Sequence, residues 1–264
     1  MDLGIRGKTA IVCASSKGLG RGSAQALAEA GVNLVLNARG EEALTATADA
    51  IRAAHQVQVV TVPGDVTTDA IQAELVGQAN EMAGGAVDIL VNNAGGPPPG
   101  MWSDWDRADW EKALNGNMLT PIALIKAVLP GMIEKRWGRI VNITSGSVRS
   151  PIPILGLSNA ARAGLTGYVA GTSRQVAQYG VVMNNLLPGA HDTDRIAALA
   201  ASESKATGKS VDEVKAGRAD ALPTKAIGTP EDFGQTCAFM CSDYVKFMIG
   251  QNILLDGGAF NSTT

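Results

Sequence analysis

Thr9-Ala10-Ile11-Val12-Cys13-Ala14-Ser15-Ser16-Lys17-Gly18-Leu19-Gly20-Arg21-Gly22 is the stretch whose reading decides the fold. Thr9 to Cys13 is a short β-branched, apolar run, the pattern of a buried strand in a parallel sheet. Gly18 and Gly20 let the backbone turn tightly, and an alanine-rich helix continues from Arg21 to Ala30. A glycine turn that opens a helix points backbone N–H groups outward at the positive end of the helix dipole, which is a seat for a pyrophosphate. A tight turn also needs glycine for steric reasons alone. The position at the first β-α junction, with another strand following at Asn33 to Asn37, favours dinucleotide binding.

Outward from this unit, strand and helix patterns alternate, which implies a Rossmann-like α/β fold: a doubly wound parallel sheet with helices on both faces. The apolar strands fall at Thr9–Cys13, Asn33–Asn37, Val57–Val62, Ile89–Asn92, Arg139–Thr144, Val181–Leu187 and Asn252–Leu255. Helical patterns occupy about 41–54, 68–83, 108–136, 157–179 and 230–241. With 264 residues and no low-complexity linker or internal repeat, one domain over residues 1–264 is expected. The stretch from Ala190 to Gly228 is polar and charge-balanced, punctuated by Gly208, Gly217 and Pro223. It follows a strand's carboxyl end, where ligands bind in such sheets, so it reads as a substrate lid over 190–228 rather than a tolerated surface excursion.

Composition narrows the function. A net charge of −3 gives no argument for nucleic acid or an anionic membrane. The N-terminus lacks an apolar signal core and no apolar run approaches membrane-spanning length, so a cytoplasmic protein is expected. Cys13, Cys237 and Cys241 lack metal-ligand company, and no metal site is expected; Cys237 and Cys241, four apart, read as a packed helix face.

Three further features line the expected crevice. Arg39 closes the second strand, where the adenosine ribose would lie, and Asn37-Ala38-Arg39 offers no carboxylate for two ribose hydroxyls. With Lys17 in the first turn, two cations suit a 2′-phosphate, so NADP(H) is favoured over NAD(H), unless both are merely solvated. Gly64-Asp65-Val66 and Asn92-Asn93-Ala94-Gly95 follow the third and fourth strands; Asp65 could accept from an adenine amino group and Asn93 could pair with backbone and ribose. Each is also an ordinary turn composition. Gly95-Gly96-Pro97-Pro98-Pro99-Gly100 with Trp102 and Trp105 would form a stiff rim, the tryptophans either covering an apolar substrate or, with Trp110, packing the next helix.

Together these pieces resemble the short-chain dehydrogenase/reductase family from about Arg6 to Phe260, in particular its divergent 3-oxoacyl-carrier-protein-reductase-like members. The usual Thr-Gly-x-x-x-Gly-x-Gly appears as Cys13-Ala14-Ser15-Ser16-Lys17-Gly18-Leu19-Gly20, with alanine at the first glycine. Asn-Asn-Ala-Gly is intact at 92–95. Asn184, the Pro188-Gly189…Thr193 segment, Pro230-Glu231-Asp232 and Gly250-Gln251…Asp256-Gly257-Gly258 also match. The resemblance implies a seven-stranded sheet, a homodimer or homotetramer, and hydride exchange between a nicotinamide and a small carbonyl or alcohol substrate. It assigns cofactor contacts to residues 14–20, Asp65, Val66, Asn93, Ala94, Gly95, Pro188, Gly189 and Thr193.

The family's active site is an Asn, a Ser and a Tyr-x-x-x-Lys, and here the resemblance breaks. Asn117 and Ser145 fit the first two roles, but the Tyr and Lys positions read Ser158 and Arg162. Serine is a far weaker acid than tyrosine, and loss of a positioned general acid typically costs about 10²–10⁴-fold in rate. Arginine keeps a charge that could meet the nicotinamide ribose or an anion, but it cannot pass a proton on. Tyr168 and Tyr179 sit off the face or too far along the helix to substitute. His191 could act through a water, although a solvated loop histidine is the plainer reading, and Arg149 could orient an anion or face water. The expectation is therefore an atypical reductase with Asn117, Ser145, Ser158 and Arg162 at its centre. The rivals are a catalytically silent dinucleotide binder and cofactor-independent chemistry at a Ser145/Arg162 pocket. Arg162 is reminiscent of halohydrin dehalogenases, which however keep the tyrosine. A Ser-His hydrolase is disfavoured because no Gly-x-Ser-x-Gly elbow occurs.

Overall fold

Each of the seven apolar runs forms one strand in a computed structural model that describes residues 1–263. The strands are β1 (Thr9–Val12), β2 (Asn33–Ala38), β3 (Val59–Pro63), β4 (Ile89–Asn92), β5 (Gly138–Ile143), β6 (Val181–Pro188) and β7 (Asn252–Leu255). They form one sheet in the order β3-β2-β1-β4-β5-β6-β7, every pair parallel. The order reverses between β1 and β4, and at such a switch point the connections diverge to opposite faces and leave a crevice at the strands' carboxyl ends.

The helices are α1 (Gly18–Glu29), α2 (Glu41–Ala54), α3 (Asp69–Met82), α4 (Arg107–Leu114), α5 (Thr120–Glu134), α6 (Gly156–Val176), α7 (Asp194–Thr207), α8 (Val211–Asp220) and α9 (Pro230–Met240). Strand residues alternate between two cores, as a period of two requires. Ala10, Val12, Leu34 and Leu36 pack with Leu27, Leu44, Ile51 and Phe233 on the α1, α2 and α9 side. Ile11, Cys13, Val35 and Leu90 pack with Leu75, Leu124, Ile125 and Leu165 on the α3, α5 and α6 side. The cysteines lie inside, as a packed role requires; burial pushes the Cys13 thiol up to about 12. Helices α1 and α9 meet backbone to backbone, since a Cβ on Gly22 would lie 2.0 Å from the Pro230 carbonyl oxygen and one on Gly234 2.2 Å from that of Gly22.

Two sequence expectations change. The helix expected at 108–136 is α4 and α5 joined by a π-helical turn, Asn115–Leu119, which carries Asn117 inward. The continuous run Arg107–Glu134 is long and apolar enough to cross a membrane by length and composition, contrary to the reading that no run approaches that size. Its apolarity serves the core instead: Leu124, Ile125, Val128 and Met132 are buried against the sheet. The 190–228 excursion holds two helices, α7 and α8, clamped by an Arg218–Glu203 ion pair at 2.7 Å. Its base is stitched where His191 and Gly228 form a parallel bridge. There the Asp192 N–H donates to the Gly228 carbonyl at 2.8 Å and the Gly228 N–H to that of Ala190 at 3.1 Å.

Candidate active site

The first turn is held from beneath. Both the Ser15 N–H and its hydroxyl donate to the Asn37 carbonyl, at 2.9 and 3.2 Å, and the Thr47 hydroxyl donates to the Ser16 carbonyl at 3.0 Å. Ser15 is fully buried, so this side chain anchors the turn rather than facing a ligand. Ala14 adopts φ +48°, a left-handed conformation that glycine would enter without cost. The resemblance puts glycine at this position, and alanine accepts the same geometry under strain. Asn93 donates from Nδ2 to the Ala14 carbonyl at 3.4 Å, and a Cβ on Gly20 would sit 2.2 Å from that carbonyl oxygen. Gly20 is thus required by close approach.

Above the turn, the amino terminus of α1 has no side-chain cap and no acidic residue in its first turn. Helices α4, α8 and α9 each begin with a complete capping box, from Asp106, Ser210 and Thr229, whereas α2, α3 and α6 lack a side-chain cap as α1 does. Helix-opening N–H groups left uncapped need another acceptor. The α7 amino terminus, likewise without a side-chain cap, approaches the same place: Thr193 Cγ2 would be 3.3 Å from a Cβ on Gly18. Two uncapped helix termini over a glycine turn fit a diphosphate. Pro188 ends β6, and the Gly189 N–H donates to the Leu255 carbonyl at 2.7 Å, fixing the start of this loop.

At the ribose end, Arg39 is exposed just beyond β2, and the first carboxylates after it are Glu41 and Glu42 in the first turn of α2. Asp65 is exposed after β3, its Oδ1 accepting the Thr67 N–H and hydroxyl at 3.0 and 2.9 Å; these bonds, with the charges of Arg39 and Lys112, hold its carboxyl below the usual range. Val66 is half-buried against the α3 core. Lys17 is not a bare cation: its Nζ meets Asp194 Oδ2 at 2.5 Å. Gly95 stands at the rim, where an added Cβ would meet open space.

Ser158 and Arg162 share one face of α6 and both are buried. Arg162 Nε donates to Ser158 Oγ at 3.2 Å, Nη1 to the Ile143 carbonyl at 2.9 Å, and Nη2 to the Ala94 carbonyl at 3.2 Å. The guanidinium therefore ties the carboxyl ends of β4 and β5 to α6. Beside it lies a cavity of about 10 Å³, lined by Asn92, Asn117, Pro121 and Arg162 among others, the size of one water. Asn92 and Asn117 each carry a buried Oδ1 with no protein partner, while Asn92 Nδ2 donates to Asn142 Oδ1 at 2.9 Å. Ser145 is not in the wall of this cavity. Ser145 itself caps a short 3₁₀ turn, Gly146–Val148, its Oγ accepting from the Ser147 N–H at 3.1 Å and leaving its own proton to donate.

The reserve proton donors fare differently. His191 is buried rather than solvated, packed edge-on to Phe233 with ring centroids 5.2 Å apart, its Nδ1 3.4 Å from the Gly189 carbonyl oxygen. Burial holds its pKa below the usual histidine value. Arg149 is exposed. Tyr168 packs against the α3–α5–α6 core, away from the crevice. The tryptophans divide: Trp105 and Trp110 pack edge-on, and Trp105 lies against Gly156, whereas Trp102 is 86% exposed. What the sequence concealed is the pairing of Lys17 with Asp194 and the buried Asn92–Asn142 link, because both join residues far apart in the chain.

Comparison with known proteins bears on this geometry. The family model described as enoyl-(acyl carrier protein) reductase matches residues 13–259. The chain is 32% identical to the 3-oxoacyl-[acyl-carrier-protein] reductase FabG of Vibrio cholerae over 260 residues, covering 98% of this chain and 99% of that protein. The corresponding Escherichia coli protein is 30% identical over the same length and coverage. Among solved structures, L-sorbose reductase from Gluconobacter frateurii, complexed with NADPH and L-sorbose, superposes with a TM-score of 0.94 at 26% identity, covering 99% of this chain and 100% of that one. Actinorhodin polyketide ketoreductase with NADPH gives 0.90 at 26% identity, covering 97% and 98%.

Proposed function

We propose that this chain, which belongs to the short-chain dehydrogenase/reductase family, binds NADP(H) in preference to NAD(H) and interconverts a small carbonyl compound and its alcohol by a route that does not use a tyrosine acid. The observation that carries the reading is the uncapped amino terminus of α1 above a braced glycine turn, met by the equally uncapped start of α7. A diphosphate would accept from those N–H groups, and Lys17 and Arg39 would flank a 2′-phosphate at the ends of the first turn and β2. The NADPH held by the similar L-sorbose reductase and polyketide ketoreductase supports the same cofactor here. When bound, the nicotinamide supplies or accepts the hydride.

The chain's own contribution is positioning and polarisation. Ser145 would donate its hydroxyl proton toward a substrate oxygen. Arg162 would hold Ala94 and Ile143 at a fixed spacing, so it acts as a positioning residue. Ser158 accepts from Arg162 and so keeps its own proton for donation, but its acidity limits it to a relay from water. Asn117, carried inward by the π-helical turn, would hold one water beside Arg162. A catalytically silent NADP(H)-binding protein is the second reading, favoured by the way Ser158 and Arg162 satisfy each other and the backbone.

Fluorescence titration with NADPH and NADH, followed by a panel of carbonyl substrates on the same sample, tests both. Saturable binding with tighter NADPH, and turnover of at least one carbonyl, is the expected result. Binding without turnover would select the silent reading, and binding of neither nucleotide would overturn both.

A further inference from the structure

Both cations of the 2′-phosphate seat stand beside carboxylates of this chain. Asp65 lies close enough to Arg39 for its carboxyl to be held down by that charge, although its firm bonds are to Thr67. Lys17 has a direct partner: Nζ lies 2.5 Å from Asp194 Oδ2. These residues are 177 positions apart in sequence and belong to different elements. Lys17 stands at the N-cap position of α1, without a side-chain bond to it, in the braced first turn. Asp194 is the first residue of α7, and thus of the lid.

The rest of the lid explains why this contact matters. The base of the excursion is stitched by the His191–Gly228 bridge and by His191 packed on Phe233. Its two helices are held together by Arg218 and Glu203. The start of α7, by contrast, rests on the phosphate turn through the Thr193 methyl against Gly18 and through the Lys17–Asp194 pair. A phosphate dianion competing for Lys17 would displace a single carboxylate, since it offers more charge and more acceptor oxygens.

The geometry points to a latch: Asp194 ties the start of α7 to the first turn through Lys17, and the 2′-phosphate of NADP(H) displaces that one tie, whereas NAD(H), whose diphosphate would meet the same helix termini, leaves it in place. This inference rests on the proposed NADP(H) binding and deepens it, because the same lysine then both selects the cofactor and reports its arrival to the substrate side of the crevice. Asp194 is a positioning residue in this scheme and lowers NADPH affinity by occupying Lys17.

Both side chains are about 70% exposed, 69% for Lys17 and 72% for Asp194, so the pair is screened and the effect is modest. A pair of this kind is expected to shift the opening of α7, and the competition with NADPH, by about two- to fivefold. Hydrogen–deuterium exchange of peptides within 194–207 is the readout, on the full chain alone and saturated with NADH or NADPH. Exchange should be about two- to fivefold faster with NADPH than with NADH. In the absence of nucleotide, Asp194→Asn, Lys17→Gln and the double variant should all exchange equally fast, because removing either partner opens the same latch. Asp194→Asn should also tighten NADPH about two- to fivefold while shifting NADH less than twofold.

Equal exchange with the two nucleotides, or additive effects of the two substitutions, would overturn the latch while leaving cofactor binding intact. Failure of both nucleotides to bind would remove the release step along with the proposed function, but the nucleotide-free cycle would still decide whether the latch exists.

Discussion

Replacing Ala14 by glycine should stabilise the protein, although it deletes a methyl group and loosens the unfolded chain. The reason is the φ of +48° at this residue. In the left-handed region Cβ crowds the following carbonyl, at a cost of about 1–2 kcal/mol for an L-residue. Ala14 cannot relax out of it. Its carbonyl is fixed by Asn93 and by the close approach of Gly20, and the next N–H donates to Asn37. Against the relief stands the greater freedom of glycine in the unfolded state, roughly 0.4–1 kcal/mol. The balance is a gain of roughly 0.5–1 kcal/mol, or a rise in Tm of about 1–4 °C for a chain near this size. Urea unfolding at constant m-value measures it directly, with Ala14→Val as the opposite control, since a β-branched side chain pays more than alanine for a positive φ. If Ala14→Gly lowered the midpoint and Ala14→Val left it unchanged, the strain reasoning for the first turn would be refuted.

Arg162→Met keeps the apolar stem but removes the donors to Ser158, Ile143 and Ala94, and should cost about 2–4 kcal/mol by chemical denaturation; a neutral or stabilising result would mean the guanidinium is kept for a ligand instead. His191 has a folded pKa below its unfolded value near 6.5, so the unfolded state takes up the proton first and stability falls as pH drops from that value toward the folded one. His191→Gln should therefore show a shallower decline of Tm between about pH 7.5 and 5.5 than the parent, and identical slopes would assign the acid limb elsewhere. The three buried thiols should resist thiol-reactive dye at pH 8 until denaturant is added, when all three react. Gly22→Ala should unfold or severely destabilise the chain, because its Cβ has no space beside Pro230; wild-type stability would contradict the α1–α9 packing.

Local chemistry was enough to read much of this protein from its residues. Seven apolar runs, glycine at the first junction and the periodic helices between them dictate a doubly wound parallel sheet, because each pattern depends on neighbours within a few positions. The absence of a tyrosine at position 158 and of a lysine at position 162 was equally visible. Tertiary structure decided whatever depends on contacts across the chain. It turned Arg162 inward onto two strand ends, buried His191 against Phe233, gave Lys17 an acidic partner 177 residues away, and made Ala14 carry a glycine's backbone angle. A side chain's charge and shape are written in the sequence, but its burial and its partner are set by which strands end beside it, and only the folded sheet brings those ends together.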